Sequence, residues 1–372
     1  MPPSPSGSEG VNPIALRWVA YAWPRALERT FYGAGAPENL ASDPLAWPGA
    51  LTFPPALYAA AWRASRRWDA VISHWALPCA WVAAGLPRAR GAGAIPHLAV
   101  FHSADVHLLA RLPARGAILR RIARGTSRLC FVTAEHRAMV EELAARVHVT
   151  LPPCEVQPMG FEPAALGLER PPARPGRTST SGPLRAVTLG RLVPVKGVDV
   201  AIEAVAKTAG RVTLVVAGDG PERDRLERRA ARLGAPVRFV GAVRGRDKAA
   251  LLADADAFVL PSRRLSNGRT EGAPVALLEA MYAGLPVVAS RVGGVPELTG
   301  AEDAALLVPP DDAGALAAAL TRLADTPALA RRLAERGHAR ATRHRWSEVG
   351  PRVERWLGVT SGCDGSPSAP ST

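Results

Sequence analysis

Two carboxylates, Glu271 and Glu279, lie eight residues apart in the run E-G-A-P-V-A-L-L-E-A-M-Y-A-G. Pro274 suits the first turn of a helix, where its missing N–H leaves no bond unmade, and Gly284 predicts the end of that helix. Glu271 then lies in the preceding loop and Glu279 just over a turn inside the helix. One carboxylate could hold a ribose while the other faces a sugar, with the helix N-terminus directed at a diphosphate between them. The spacing suggests a site for a nucleotide sugar.

The residues between these two glutamates argue against a plain solvated surface. Two glutamates on a helix are most often exposed to water. Here the residues that separate them are almost all apolar, so the helix is predicted to be largely buried. A buried carboxylate needs a partner, which favours a functional role for the pair.

Two basic residues, Arg191 and Lys196, follow a predicted strand (Leu184–Leu189) and precede a predicted helix. This position concentrates positive charge where a pyrophosphate would lie against a helix N-terminus. Two basic side chains on a loop, without other evidence, are more often simply exposed to solvent. The interpretation as a phosphate site therefore depends on the motifs around it.

Four blocks together resemble one family. Besides E-x7-E they are G-R-L-V-P-V-K-G (190–197), A-G-D-G-P-E (217–222) and V-G-G-V-P-E (292–297). In this order and spacing they resemble the retaining glycosyltransferases of family 4. The resemblance extends well over 184–357 and more loosely over 70–161. It implies an α/β chain with the GT-B fold, in which two Rossmann-like parallel-sheet domains face a cleft.

The resemblance also implies site residues and a mechanism. Glu279 should bind the ribose, Glu271 should lie near the donor sugar, and Arg191 and Lys196 should neutralise the departing diphosphate without a metal ion. The family-consistent reaction is front-face substitution, in which positioning and electrostatics supply the catalysis. The implied catalytic residues are His102, Glu271, Arg191 and Lys196; the implied donor-binding residues are Arg191, Lys196, Gly218, Gly241, Val243, Glu271, Gly272, Ala273, Pro274, Val275 and Glu279; His74 and Asp105 are implied on the acceptor side.

The second half of the chain alternates strands and helices, as in a parallel sheet covered on both faces. Strands are predicted at 184–189, 212–217, 237–240, 257–260, 287–289 and 305–308. We expect an acceptor-side domain over 1–165, a linker at 166–183, a nucleotide-sugar domain at 184–343, a helix returning to the first domain at 344–358 and a disordered tail at 359–372.

The first half departs from the family pattern. Strands are predicted at 14–21, 70–73, 98–101, 129–133 and 154–157. The usual opening strand, glycine-rich loop and helix have no counterpart, because the chain begins with a Pro/Ser/Gly leader. Either the true start lies upstream of this sequence, or the first domain has lost its first βαβ unit. The first domain as given is therefore expected to be truncated.

Composition narrows the class and the partners. The 372 residues carry a net charge of +13, which suits anionic lipid surfaces, nucleic acid or anionic substrates. Low aromatic content and the absence of nucleic-acid motifs argue against nucleic acid. Four cysteines without paired spacing indicate a reducing compartment. We expect a cytoplasmic protein without a cofactor, whose partners are a nucleotide-sugar donor and a saccharide or lipid-linked acceptor; peripheral contact with an anionic membrane stays open.

Two other functions stay open for this chain. A defective acceptor domain beside an intact donor domain would give a nucleotide-sugar-binding protein without turnover. A GT-B nucleotide-sugar epimerase would isomerise the donor alone. A phosphorylase is disfavoured by the size of the chain and by the lack of an evident lysine site for pyridoxal phosphate.

Overall fold

The computed structural model describes residues 15–31, 36–86, 89–90, 93–167 and 182–359. Within them the chain forms two parallel sheets, each flanked by helices. The strands are rich in Val, Leu and Ala and mostly buried, as expected where helices cover both faces of a parallel sheet. The predicted α/β class with two parallel-sheet domains is confirmed.

The first sheet has the order β1-β4-β5-β6, and all of its neighbouring strands run parallel. A short antiparallel pair, β2 with β3, lies outside this sheet. The elements of this part are, in chain order, α1 (Ala36–Ser42), α2 (Trp47–Ser65), β1 (Val71–His74), α3 (Trp81–Ala83), β2 (Ala89–Arg90), β3 (Gly93–Ala94), β4 (His97–Phe101), α4 (Ala104–Arg111), α5 (Arg115–Arg124), β5 (Arg128–Phe131), α6 (Ala134–Arg146) and β6 (Cys154–Val156).

The second sheet is also parallel and has the order β12-β11-β10-β7-β8-β9. The elements that build it and cover it are β7 (Leu184–Leu189), α7 (Val198–Ala206), β8 (Val212–Ala217), α8 (Arg223–Arg232), β9 (Val237–Gly241), α9 (Gly245–Asp254), β10 (Ala257–Leu260), α10 (Val275–Tyr282), β11 (Val287–Ser290), α11 (Val295–Thr299), β12 (Ala305–Val308), α12 (Ala313–Asp325), α13 (Pro327–Thr342) and α14 (Trp346–Leu357).

Two apolar cores lie on opposite faces of this second sheet. One packs Ile202 and Leu320 against β8, and the other packs Leu277 and Met281 of α10 against β10 and β11. Because α10 contributes to the second core, its position is fixed by buried apolar contacts. Glu279 is therefore carried on a rigid element.

The last helix, α14, packs against the first domain. At the start of α14, the N–H of Trp346 donates a hydrogen bond to the carbonyl of Phe161 at 3.0 Å. Further along, Leu357 packs in a cluster with Leu98, Val100, Cys130 and Val132. The chain thus passes from the first sheet to the second after β6 and comes back in α14.

The predicted strands of both halves are present within a residue or two of their expected ends, with one exception. The strand expected at 14–21 is wrong: residues 15–21 form no strand, and Ile14 lies outside the described residues. Tyr21 packs edge-on against Phe31 and Phe53, with ring centroids 5.7 and 5.3 Å away. The apolar residues of this segment therefore find burial in an aromatic cluster rather than in the sheet. Most of the predicted linker and tail also lies outside the described residues.

Candidate active site

The helix α10 carries Glu279 just over one turn from its start, as the sequence predicts. Pro274 precedes the helix as its N-cap rather than lying in its first turn. At the other end the N–H of Gly284 donates to Met281 and that of Leu285 to Ala280, the paired bonds of a Schellman motif. Gly284 has a φ of 78°, which the motif requires.

Glu279 is buried, with 8% of its surface exposed, and Lys248 neutralises it. The Lys248 Nζ lies 2.8 Å from Oε1 and 3.0 Å from Oε2 of Glu279. Lys248 belongs to α9, which no pattern in the sequence singled out. The second sheet therefore holds a paired buried carboxylate at its carboxyl edge, where open α/β sheets bind ligands.

Glu271 is neutralised by a second lysine, Lys196. The Lys196 Nζ donates to Oε2 of Glu271 at 2.9 Å, and both side chains are mostly buried. The loop that carries Lys196 packs tightly, because a Cβ on Gly197 would lie 2.0 Å from the carbonyl oxygen of Pro261. Only glycine fits there, and its φ of 60° is left-handed. The structure thus joins two residues that the sequence placed in the same site.

Arg191 follows β7 beside this loop, and its side chain is exposed. Gly218, after β8, lies directly against the residue that precedes Arg191, since a Cβ on Gly218 would be 1.8 Å from the carbonyl oxygen of Gly190. Asp219 accepts from the N–H of Gly220 at 2.8 Å, which makes it a turn residue. These glycines bring the loops after β7 and β8 together at one edge of the sheet.

The loop that follows β9 lies beside α9 at the same edge. Gly241 ends β9 with a φ of 75°. Val243 is half-buried and packs on the apolar cluster that also holds Ala273 and Val275. This places Gly241 and Val243 at the carboxyl edge of the sheet, on the side of α9.

In the first domain, two histidines meet at the carboxyl ends of β1 and β4. His74 Nδ1 and His102 Nε2 are 3.1 Å apart, so one ring donates and the other accepts. Burial lowers the pKa of both rings, and for His102, which also feels the charges of His74 and His136, to about 4. Trp75 lies beside them, with a strained φ of 77° and its ring centroid 6.1 Å from that of His102.

Asp105 lies beneath His102 and is only 2% exposed. Its carboxylate accepts the N–H of His102 at 3.0 Å and the N–H of Ala76 at 2.7 Å. Burial raises the pKa of Asp105 to about 6, against the opposing effect of these backbone donors. A carboxylate enclosed in this way joins the loops after β1 and β4. The acceptor-side role expected for Asp105 stays a prediction.

The two domains touch at the start of the E-x7-E run. Ser103 Oγ donates to the carbonyl of Thr270 at 2.7 Å. A Cβ on Gly272 would lie 3.0 Å from Val132, and a Cβ on Gly294 would lie 2.2 Å from the carbonyl oxygen of Gly272. The glycines therefore let two loops of the second domain approach each other closely and lie against side chains of the first domain.

His136 is fully buried at this contact and was not singled out by the sequence. Its Nδ1 pairs with Thr133 Oγ1 at 2.7 Å, whereas its Nε2 has no hydrogen-bond partner. Burial and the neighbouring His107 lower its pKa to about 4. The only signal in the sequence is a Thr-x-x-His at the start of a helix after a strand, which is too common to identify a site.

Within the described ranges, no group of three or more His, Cys, Asp or Glu side chains is arranged to hold a metal ion. In the same ranges, no helix is both long enough and apolar enough to cross a bilayer.

Comparison with known proteins follows the same division of the chain. A family model described as Glycosyl transferases group 1 matches residues 170–340. A GDP-mannose-dependent alpha-(1-6)-phosphatidylinositol monomannoside mannosyltransferase of Mycobacterium tuberculosis is 36% identical over 220 residues, covering 57% of this chain and 56% of its own length. The amylovoran biosynthesis glycosyltransferase AmsK of Erwinia amylovora is 38% identical over 170 residues, covering 44% of this chain and 40% of its own. The chain thus spans about half the length of such relatives.

Solved structures share the fold over a larger part of the chain. Anabaena Alr3699/HepE in complex with UDP superposes with a TM-score of 0.64 at 19% identity, covering 83% of each chain. Sucrose-phosphate synthase from Thermosynechococcus elongatus gives 0.62 at 24% identity, covering 82% of this chain and 77% of its own. At these identities the likeness concerns the fold.

Proposed function

We propose that this protein, whose residues 170–340 are a glycosyl transferases group 1 domain within a GT-B fold, is a retaining glycosyltransferase. It would move a sugar from a nucleotide-diphosphate donor to a saccharide, lipid or small-molecule acceptor. The observation that carries the proposal is the pairing of Glu271 with Lys196 and of Glu279 with Lys248. Both pairs lie at the carboxyl edge of the sheet inside the matched family segment.

In the donor site, Glu279 would accept the two ribose hydroxyls, with Gly241 and Val243 lining the base. Lys248 partners Glu279 before the ribose arrives, because a buried carboxylate without a partner is costly. The backbone N–H groups at the start of α10, with Gly272, would face the sugar and phosphates. GDP- and UDP-sugars are the donors to test first, since a relative is named for GDP-mannose and a fold neighbour contains UDP.

Arg191 and Lys196 would stabilise the departing diphosphate. The C1–O bond to phosphate breaks while the acceptor oxygen approaches the same face, and the acceptor proton passes to the leaving phosphate oxygen. Each well-placed cation is worth about 3–4 kcal/mol where this charge develops. Lys196 would exchange Glu271 for the diphosphate, which frees Glu271 to contact the donor sugar. No step in this scheme calls for a metal ion or a cofactor.

On the acceptor side, His102 would face the donor sugar across the cleft, oriented by Asp105 and paired with His74. Both imidazoles are expected to be neutral at pH 7, because burial lowers their pKa values. A neutral pair can hold one acceptor hydroxyl as both donor and acceptor. Since nucleotide sugars are cytoplasmic metabolites, we place the reaction in the cytoplasm.

The test is thermal unfolding of the purified chain with GDP, UDP, ADP and their sugar conjugates. A ligand at 100 times its Kd stabilises the protein by about 2.7 kcal/mol, which is a measurable shift. We expect one nucleotide to stabilise the wild type, Glu279→Gln to abolish that shift, and the exposed Glu302→Gln to keep it. A folded protein that no nucleotide stabilises would contradict the donor site.

An assay of donor turnover distinguishes the transferase from the binding protein and the epimerase. Incubation with the identified donor and an acceptor extract should release the nucleotide diphosphate and form a glycoside with the anomeric configuration of the donor. Binding without release would favour the nucleotide-sugar-binding protein. Isomerised donor in the absence of any acceptor would favour the epimerase.

A further inference from the structure

Exposed apolar side chains are concentrated in the first domain. Eleven of the thirteen large hydrophobic residues that are exposed in the described part of the chain lie between Leu16 and Leu108. Within the described residues, the second domain and α14 together expose Leu233 and Trp346. Scattered exposed hydrophobic residues are ordinary, whereas several that share one side of an element can form an interaction surface.

The helix α2 presents three of these exposed residues as one surface. Trp47, Leu51 and Trp62 are 56, 77 and 41% exposed, and their spacing of four and eleven residues puts them on one side of the helix. Within its 19 residues only Gly49 and Ser65 are buried. A helix of about 28 Å that packs on a core normally buries its apolar stripe, whereas α2 turns its stripe outward.

Arginines surround one end of this helix. Since α2 leads into β1 and α5 leads into β5 of the same parallel sheet, both helices end at the amino edge of that sheet. Arg63, Arg66 and Arg67 lie at the end of α2, and Arg66 stacks 5.1 Å over Trp62. Basic residues at helix ends are common because they complement the helix dipole, but one or two suffice for that purpose.

The end of α5 adds an arginine-lined pocket of about 390 Å³. Its walls are Arg120, Arg121, Arg124 and the backbone at Gly85 and Gly125. The pocket adjoins α2 through α3, where the Tyr58 hydroxyl donates to the carbonyl of Gly85 at 3.4 Å. Its arginines suit a phosphate group, and its volume leaves room for more of a lipid headgroup.

Few acids offset this charge. Residues 44–134 contain eleven arginines and only two acids, Asp69 and Asp105. Asp105 is buried at the cleft and so contributes little outside it. An apolar stripe flanked by arginines, with hardly an acid nearby, is the composition of a helix that lies in a membrane interface.

We infer that α2 and the adjoining arginines of α5 bind the surface of an anionic lipid bilayer. The tryptophans and Leu51 would enter the headgroup boundary, and the pocket would take a lipid phosphate. Nucleic acid would use the arginines but not the outward apolar stripe. A second copy of the chain would bring two arginine clusters together, and their repulsion disfavours that arrangement.

The direction of α2 relates this surface to the cleft. Just before α2, Glu38 of α1 forms an ion pair with Arg269 of the second domain. The helix therefore begins beside the domain contact and runs away from it. A bilayer along α2 would lie next to the mouth of the cleft, within reach of an acceptor held in the membrane.

The experiment is sedimentation with phosphatidylcholine vesicles, with and without phosphatidylglycerol. We expect binding to the anionic vesicles alone, weakened by salt. Leu51→Ser/Trp62→Ser should lower the affinity by at least about tenfold. Arg63→Gln/Arg67→Gln should lower it about fivefold for each arginine removed. Leu233→Ser and Arg228→Gln/Arg232→Gln, which alter exposed residues of the second domain, are the matched controls and should bind as the wild type does.

Thermal unfolding and nucleotide binding verify that each variant is folded. Quenching of tryptophan fluorescence by brominated lipids tests insertion in the wild type, so the result does not depend on any variant. Equal loss in the controls, absence of binding to anionic vesicles, binding to an oligonucleotide instead, or a dimer that buries α2 would each overturn the inference. Vesicle binding needs neither donor nor transfer, so its failure would leave the transferase proposal untouched.

Discussion

Glu279 is buried in the second domain against Lys248, which supplies the opposite charge from a different helix. The same arrangement recurs at Glu271 with Lys196. A buried ion pair adds little net stability, yet removing one partner leaves an uncompensated charge and is destabilising. The two pairs therefore compensate the charges of buried carboxylates and add little to the stability of the fold.

Replacing Lys248 alone should be worse for stability than replacing both members of its pair. We expect Lys248→Met to lower the free energy of unfolding by about 1–3 kcal/mol, since it strands the carboxylate of Glu279. Lys248→Met/Glu279→Gln should recover part of that loss, as measured by urea denaturation. The double variant should still fail to bind nucleotide. A double variant less stable than Lys248→Met would show that the pair is not coupled as described.

Two buried histidines make the fold sensitive to acid. Burial lowers the pKa values of His102 and His136 to about 4, below the 6.5 of an unfolded chain. The unfolded state therefore binds more protons between these values, and stability is lost as the pH falls from 6.5 towards 4. Asp105 acts in the opposite sense, because its pKa is raised to about 6. His344, whose pKa burial also lowers to about 4, acts in the same sense as the other two, so the loss of stability at low pH exceeds the gain from one carboxyl.

We expect the free energy of unfolding to fall between pH 7 and pH 5, with each histidine contributing up to about 2 kcal/mol at pH 5. His136→Asn, which can still bond to Thr133, should reduce this dependence. His148→Asn alters an exposed ring and should leave it unchanged. Denaturant unfolding across the pH range makes the comparison, and parallel curves for wild type and His136→Asn would contradict the assignment.

At the scale of elements, glycines decide how closely the loops of the site approach. Gly197 lies against Pro261 and begins α7 with a left-handed φ, while Gly293 lies against the carbonyl of Glu271. These contacts set the positions of Lys196 and Glu271 on their separate loops. A side chain at either position would have to push a loop of the site outward.

Gly197→Ala should therefore destabilise the protein by about 3 kcal/mol or more, combining backbone strain with a clash. Gly210→Ala is the matched control, because Gly210 also has a positive φ but has nothing within 4 Å of the added Cβ. The control should lose only about 1–2 kcal/mol. Nucleotide affinity should fall in Gly197→Ala alone. Equal losses in the two variants would mean that the contact with Pro261 is not restrictive.

The elements also explain which parts could be predicted. The second sheet was predictable because each strand is a short apolar run that ends at a glycine or proline motif. Helix α9 was missed, since Gly245–Asp254 has only one buried residue, Leu252, and hence no clear apolar period. Lys248 was missed with it. The position of His136 at the domain contact and the bond from the Ala76 N–H to Asp105 both join distant loops. Spacing along the chain does not reveal such contacts.

For the whole molecule, ionic contacts hold the domains together on the side of α1, α4 and α6. Arg264 pairs with Glu135 at 3.1 Å, Arg269 pairs with Glu38, and Arg111 donates to the carbonyl of Asn267 at 2.7 Å. All three involve the loop between β10 and α10. This loop also leads into Glu271, so closure of the cleft and the position of that carboxylate are coupled.

Arg269→Gln should favour an open arrangement of the domains. Its ion pair with Glu38 is mostly buried, so its loss costs more than that of an exposed pair. We expect a larger radius of gyration by small-angle scattering without ligand, and a return towards the wild-type value when the donor binds. Arg291→Gln breaks the exposed pair with Glu302 within the second domain and should change neither. An unchanged radius in Arg269→Gln would show that the contact does not control closure.

The return of α14 to the first domain has a consequence for recombination between relatives. Leu357 shares a cluster with Leu98, Val100, Cys130 and Val132, so the acceptor-side unit is assembled from two separate stretches of the chain. A crossover that exchanged everything after β6 would pair a foreign helix with this apolar sheet face. A viable hybrid would need two junctions, one on each side of residues 184–342. The unit that can be exchanged between relatives is thus the internal segment 184–342, whereas α14 has to stay with the first sheet.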